Sequence, residues 1–332
     1  MFLTRIVLLL LAFVLVGGAQ DVSRKSRNVE QLYQSVVAQR GLDLFDGEWA
    51  KTDKIEIRDT KNGYLKITGG IDGWLEVALF RKKDRSPVLV IGVTGCGPAC
   101  GTELHAFEFK NGNAENVSEK LFPRFFENEI DNKLYRRTGK KEDYYGDILD
   151  VLPRKGTTIK TVLEDENDVL YEIEWKNDIF EIKRNVSDLY SVFPGNLLNP
   201  ENGRKGKVII EDTKNGYLKL RIPTATVDAA LFRKKDGSPV LFVVENYCGT
   251  GRCVTGEMEI RELVGGKWID ITAEVLPKGL TEKRIHAKSD FAAKHGYQYK
   301  VPRKGRTVRI VEGDDGKTIY RLDWKNEKFV VR

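Results

Sequence analysis

One eight-residue string occurs twice in this chain. Asp59 to Lys66 reads DTKNGYLK, and Asp212 to Lys219 reads DTKNGYLK again. ALFRKKD starts at Ala78 and again at Ala230, and Ser-Pro-Val-Leu follows at Ser86 and at Ser238. A close pair of cysteines comes next in each half, then PRKG at Pro153 and Pro302, then YEIEWKNDIF from Tyr171 against YRLDWKNEKF from Tyr320. The offset drifts only from 153 residues (Asp59 to Asp212) to 149 (Pro153 to Pro302). So many blocks in one order at nearly constant spacing mark an internal duplication. The two copies are expected over 54–184 and 207–332, each the size of a small domain. Residues 185–206 hold Pro, Asn and Gly in quantity and read as a linker.

Within each copy the apolar period is two. Val169, Tyr171, Ile173 and Trp175 alternate with Glu172 and Glu174, and Tyr320, Leu322 and Trp324 alternate with Arg321 and Asp323. That is the signature of a half-buried antiparallel strand. Turn signals punctuate such runs: Asn62-Gly63, Asn215-Gly216, Asn111-Gly112, Asp236-Gly237 and Gly265-Gly266. Ahead of the first copy the period changes to that of a helix. Val29, Leu32, Tyr33, Val36 and Val37 form one stripe, with Asn28 placed to cap its start and Gly41 to end it. A shorter capped helix is expected in SDFAAKHG from Ser289, inside the segment 278–300 that differs most from its counterpart 124–150. The expected fold is therefore all-β: a short N-terminal helix followed by two homologous antiparallel β domains, sandwich or barrel-like. The alternative is a single propeller-like ring built from both repeats.

The first twenty residues read as an address. Arg5 gives a positive start, Ile6 to Val16 is an unbroken apolar run, and Gly17, Gly18 and Ala19 suit a signal peptidase. The run is shorter than the roughly 20 residues a bilayer span requires. A signal peptide over 1–19 and a helical segment over 20–53 are expected, with the protein secreted or periplasmic and holding no stable membrane anchor after cleavage. Export decides how the four cysteines are read. Cys96 with Cys100 and Cys248 with Cys253 are local pairs, and in an oxidising compartment these pair as disulfides. Cys96-Gly-Pro-Ala-Cys100 has one residue more between its cysteines than the motif of thioredoxin-like enzymes. The second pair has one more again, a drift that suits a loop staple better than catalysis.

Lys plus Arg number 55 against 49 acids, a thin excess that argues against nucleic acid as partner. The three histidines sit beside no nucleophile motif and none recurs in the other copy, so neither a catalytic nor a metal residue is assigned and no cofactor is expected. Two features are candidates for a binding surface. One is the repeated triplet Arg81, Lys82 and Lys83 with Arg233, Lys234 and Lys235, read as exposed cations before a tight turn. The other is Trp74 and Trp268, each without a tryptophan partner in the opposite copy. The sequons Asn116-Val-Ser118 and Asn185-Val-Ser187 are acceptors only in a glycosylating compartment. The expected function is a secreted, non-enzymatic duplicated β-module that binds a protein or glycan at the envelope or outside the cell. An exported hydrolase using paired carboxylates, or a thiol or metal protein using the Cys pairs, are the alternatives.

Overall fold

The computed structural model describes residues 27–40, 54–68, 73–126, 129–138, 147–163, 165–195, 206–249, 252–314 and 316–332. The expected signal peptide and the expected stop at Gly41 lie outside these. The chain divides into two compact units. Unit 1 takes the described residues as far as Pro123 and those from Asp147 to Lys183; unit 2 takes those from Arg124 to Thr138 and from Arg184 to Arg332.

Unit 1 opens with helix α1 (Val29–Arg40). Strands β1 (Lys54–Asp59), β2 (Tyr64–Thr68), β3 (Gly73–Arg81), β4 (Pro87–Cys96), β5 (Cys100–Lys110) and β6 (Asn113–Asn116) follow, then the short helix α2 (Ser118–Leu121). After the segment assigned to unit 2 come β7 (Ile148–Val151), β8 (Thr158–Leu163), β9 (Asp165–Lys176) and β10 (Ile179–Ile182). β1 to β6 run as an antiparallel meander, and β7 to β10 form a second one. A single parallel pairing, Gly101 with Ile148, joins the two meanders.

The first meander is covered on both faces, which explains its near-continuous apolar strands. On one face Leu65, Ile67, Leu75, Val77, Leu89, Ile91 and Phe107 pack against Val29, Leu32, Tyr33 and Val36 of α1. On the other, Phe80 meets Trp175 and Phe180 of the second meander, and Phe122 stacks on Phe180. Each such aliphatic side chain contributes about 1.5–3 kcal/mol by leaving water.

Unit 2 contains helix α3 (Glu129–Thr138), helix α4 (Val186–Ser191) and strands β11 (Lys207–Asp212), β12 (Tyr217–Ile222), β13 (Ala225–Arg233), β14 (Pro239–Gly249), β15 (Arg252–Val264) and β16 (Lys267–Asp270). Helices α5 (Thr272–Val275), α6 (Glu282–Lys288) and α7 (Asp290–His295) come next. The chain ends in strands β17 (Tyr297–Lys300), β18 (Thr307–Glu312), β19 (Thr318–Lys325) and β20 (Lys328–Val331). β11 to β16 make a six-stranded sheet and β17 to β20 a four-stranded one. The core between them joins Phe232, Val240, Phe242 and Ile260 to Val308, Ile310, Leu322, Trp324 and Phe329. The expected helix after Ser289 is present, and the Ser289 hydroxyl accepts from Ala292 N–H. The strand orders are open paths, so the described strands close neither a barrel nor a propeller-like ring.

The linker expected over 185–206 is corrected at its start. Asn185 caps α4, every residue of which is buried. Val186, Tyr190 and Phe193 cover Leu218, Leu220, Val227 and Leu241 on the outer face of the six-stranded sheet. That is the task α1 performs in unit 1, and the sequences agree: Asn28-Val-Glu-Gln-Leu-Tyr33 against Asn185-Val-Ser-Asp-Leu-Tyr190. Each helix start carries a reciprocal cap. Asn28 Oδ1 accepts from Gln31 N–H while Gln31 Oε1 accepts from Asn28 N–H; Asn185 and Asp188 do the same. The matching blocks therefore begin at Asn28 and Asn185, not at 54 and 207.

The Asn-Gly signals are also refined. Asn62-Gly63 and Asn215-Gly216 end four-residue connections, with the Asp59 and Asp212 carboxylates accepting from the Asn62 and Asn215 N–H groups. Gly63 lies at φ +74, and a Cβ there would stand 2.9 Å from Leu79 Cβ, so only glycine fits. Asn111-Gly112 and Gly265-Gly266, with φ positive at all four residues, do form two-residue hairpin turns.

Replacing Asn28 or Asn185 by Ala should each destabilise the protein by about 1 kcal/mol, the usual cost of a lost cap. Urea unfolding checks this; unchanged midpoints in both variants would show that neither cap supports its sheet.

Candidate functional site

The RKK turns connect β3 to β4 and β13 to β14, and they are structural clasps. The exposure expected for all three cations is corrected for the central one. Lys82 is half-buried and pairs through Nζ with Glu108 on β5; Lys234 pairs with Glu262 on β15 in the same way. The turn backbone is occupied as well. The Arg81 carbonyl accepts from Trp175 Nε1 at 2.9 Å, and Lys83 N–H donates to Asp178 at 2.8 Å. Unit 2 repeats both bonds, from Trp324 Nε1 to Arg233 O at 3.2 Å and from Lys235 N–H to Glu327 at 3.0 Å. Only Arg81, Lys83, Arg233 and Lys235 are exposed. The triplets recur because each ties a turn of one meander to the next, which leaves two exposed cations per turn.

Trp74 is half-buried on β3, with Lys66 Nζ 5.3 Å from its ring centre. Trp268 donates from Nε1 to Val192 O and packs edge-on against Phe193, so it holds the residues after α4. The cysteines are joined as expected, Cys96 to Cys100 and Cys248 to Cys253. Each bond faces directly across a hairpin, β4 to β5 and β14 to β15. Closing so short a loop stabilises by about 2 kcal/mol on the chain-entropy model. As disulfides they supply neither thiolates nor metal-ligating sulfur; Asp314 lies beside the second pair. Burial pushes the Asp150 carboxyl up, but its bonded neighbour is the Thr161 hydroxyl at 2.6 Å, not a second acid. No described helix is long and apolar enough to cross a membrane.

The feature that sequence reading missed is a row of cations across the last sheet of unit 2. The register puts Lys300 of β17 opposite Arg309 of β18, and Arg309 opposite Arg321 of β19. Arg332, whose N–H donates to Arg321 O at 2.9 Å, continues the line past β20. With strands about 4.8 Å apart, four positive side chains span about 14 Å. Matching registers in unit 1 give Val151, Lys160, Glu172 and Lys183, where Lys183 Nζ reaches Glu172 at 2.7 Å. Charges alternate there and share a single sign here. Like charges directly opposite destabilise a sheet, so folding does not account for the row. Arg309 and Arg321 are exposed and have no ion-pair partner among the described residues. Alignment of the blocks beyond the matched words, at Val151 with Lys300 and Glu172 with Arg321, is the signal that would have found it.

A hollow of about 450 Å³ opens beside the row, lined by Lys300 and Arg309 together with Tyr217, Lys219, Asp228 and Lys304. Lys300 is also held by Asp314 at 2.7 Å. Arg303, at its edge, pairs with Asp212 at 2.8 Å, as Arg154 pairs with Asp59 at 3.0 Å. These contacts hold both carboxyls well below their ordinary value. Asp59 falls to about 2, chiefly through the Asn62 side chain and then Arg154; Asp212 falls to about 2, chiefly through Arg303 and then Asn215.

No family model, curated protein or solved structure matches this chain.

Two outcomes follow from the turns. Lys82→Ser and Lys234→Ser should each destabilise by about 1–3 kcal/mol, because a largely buried carboxylate loses its cation, whereas Lys83→Ser and Lys235→Ser should stay within about 0.5 kcal/mol. Thermal unfolding separates these; equal effects would mean the central lysine is no clasp. The depressed carboxyls set an acid limb. Their stabilisation is complete above the ordinary value of 3.8 and is lost as pH falls through about 2. A double Asp59→Asn and Asp212→Asn variant should show a flatter fall in stability between pH 4 and pH 2, measured by unfolding at each pH.

Proposed function

We propose that this chain is a secreted, non-enzymatic binding module that takes a polyanionic ligand, an acidic glycan or an acidic protein surface, at the envelope or outside the cell. One observation carries the reading: the like-charge row of Lys300, Arg309, Arg321 and Arg332, in which Arg309 and Arg321 form no ion pair among the described residues and the acid nearest them in register, Asp323, is bonded to Thr307 and Lys325. Such a field steers anionic partners and raises their rate of encounter. The secretory pattern of Met1 to Gln20 and the two disulfides support a site of action outside the cytoplasm. The ligand-bearing surface lies in the second copy, and the first copy, with its alternating row, has a scaffold's role. Two equivalent sites are therefore not the basis of affinity.

Binding of the mature protein to immobilised acidic and neutral polysaccharides, and to polyaspartate, tests the reading. Acidic polymers should be retained and neutral ones not. Affinity should fall steeply as ionic strength rises, since exposed charges are screened over about 8 Å at physiological salt. A paired Arg309→Glu and Arg321→Glu variant should lose at least about tenfold in affinity, roughly 1.4 kcal/mol. Salt-independent binding, or full affinity in that variant, would refute the assignment.

A further inference from the structure

Within the polyanion-binding reading, on which this step rests, the hollow beside the row has a property that charge alone does not explain. A largely buried acid, Asp228, is among its lining residues. At the same cross-strand place in unit 1, Lys66 stands opposite Glu76; in unit 2, Lys219 stands opposite Asp228. In both units the preceding tyrosine, Tyr64 or Tyr217, donates its hydroxyl to one carboxylate oxygen. The second oxygens differ. Glu76 Oε2 accepts from Leu152 N–H at 3.1 Å, which completes and closes the site. Asp228 is one methylene shorter. It makes no hydrogen bond to Val301, the counterpart of Leu152, and its Oδ2 is buried with no hydrogen-bond partner among the described residues. The residue itself is 4% exposed and lines the hollow. A buried acceptor without a donor is costly, and an ordered water, an ion or a ligand group that supplies the bond accounts for one.

We infer that this hollow seats one sugar residue of an acidic glycan, with Asp228 Oδ2 accepting a ligand hydroxyl while Lys219, Lys304 and the Lys300–Arg309 end of the row hold its carboxylate or sulfate groups. The two halves of the site select together. The surrounding cations disfavour an ammonium group as the missing donor. An acceptor oxygen opposes a phosphate or carboxylate oxygen at the same spot. The donor must then be neutral, and a hydroxyl on an anionic polymer meets both demands. The hollow's 450 Å³ falls in the range of small-molecule sites. RNA also pairs anionic groups with a hydroxyl and is the competing polymer; the thin excess of 55 Lys plus Arg over 49 acids disfavours it. Unit 1 lacks this site on two counts, the Leu152 bond to Glu76 and Val151 at the place of Lys300.

The test compares polymers matched for charge. Polygalacturonate, alginate and chondroitin sulfate carry hydroxyls; polyaspartate carries none; a single-stranded RNA serves as the nucleic acid. The wild-type protein should bind at least one of the three glycans about tenfold more tightly than polyaspartate and more tightly than the RNA. Asp228→Glu should erase that preference and leave polyaspartate affinity unchanged, because the longer side chain reaches Val301 N–H and closes the acceptor as Glu76 does. Its melting temperature should equal or exceed that of the wild type, which shows that the loss is not unfolding. No glycan above polyaspartate, a preference that survives in Asp228→Glu, or RNA as the tightest ligand would each overturn the inference. Failure of the broader reading looks different: the Arg309→Glu and Arg321→Glu pair would then leave binding of every polymer unchanged.

Discussion

Both faces of the central sheet in each unit must be kept from water, and the rest of the fold answers that demand. Strands such as β4 and β14 are apolar on both sides, so a cover on one face alone would leave a large hydrophobic surface exposed. In unit 1 α1 supplies one cover and the β7–β10 meander the other. In unit 2 the short helix α4 and the β17–β20 sheet take those places. The covers are held by polar contacts at defined points. Tryptophan Nε1 groups bond the carbonyls of the RKK turns, the turn lysines reach buried glutamates, and helix caps fix the angle of entry. None of these bonds drives folding, but each selects one arrangement among several that would bury similar area.

That division of labour separates residues kept for structure from residues free to change. Arg81 to Lys83 and Arg233 to Lys235 match because the clasp they form is needed twice. The outer row of the last meander is under no such constraint. There unit 1 alternates charge, with Lys183 paired to Glu172, while unit 2 places Lys300, Arg309, Arg321 and Arg332 side by side. A sheet that bears four like charges in line gives up stability that alternation would supply. The neighbouring Asp228, with one oxygen left unbonded in a buried place, is a second such concession. Asp228 and the Lys300–Arg309 end of the row line the same hollow.

Much of the architecture was legible in the sequence. Period-two alternation placed the strand around Trp175 and its counterpart around Trp324, because one face of each is dry. The helical stripe from Val29 and the cap at Asn28 were legible because a helix of that length shows its period. Local cysteine pairs gave cross-hairpin disulfides for the same reason: short spacing leaves little choice. Helix α4 was not legible as structure. It has six residues, too few to display a period, and its neighbours are rich in Pro, Gly and Asn. Its likeness to Asn28–Tyr33 was present in the letters, but only its position over β12 and β13 gives that likeness meaning.

The sequence by itself determined the strands around Trp175 and Trp324, the two-residue turns at Asn111-Gly112 and Gly265-Gly266, and the disulfide partners, since each depends on residues close in the chain. Tertiary structure alone decided which repeated cations are free. Lys82 and Lys83 are neighbours in sequence, yet one meets Glu108 on a strand 26 residues away and the other points its side chain to solvent. It also assembled Lys300, Arg309, Arg321 and Arg332, which no linear pattern groups, into one row. Strand register brings together residues that the chain keeps apart, and charge acts through distance in space, not separation in sequence.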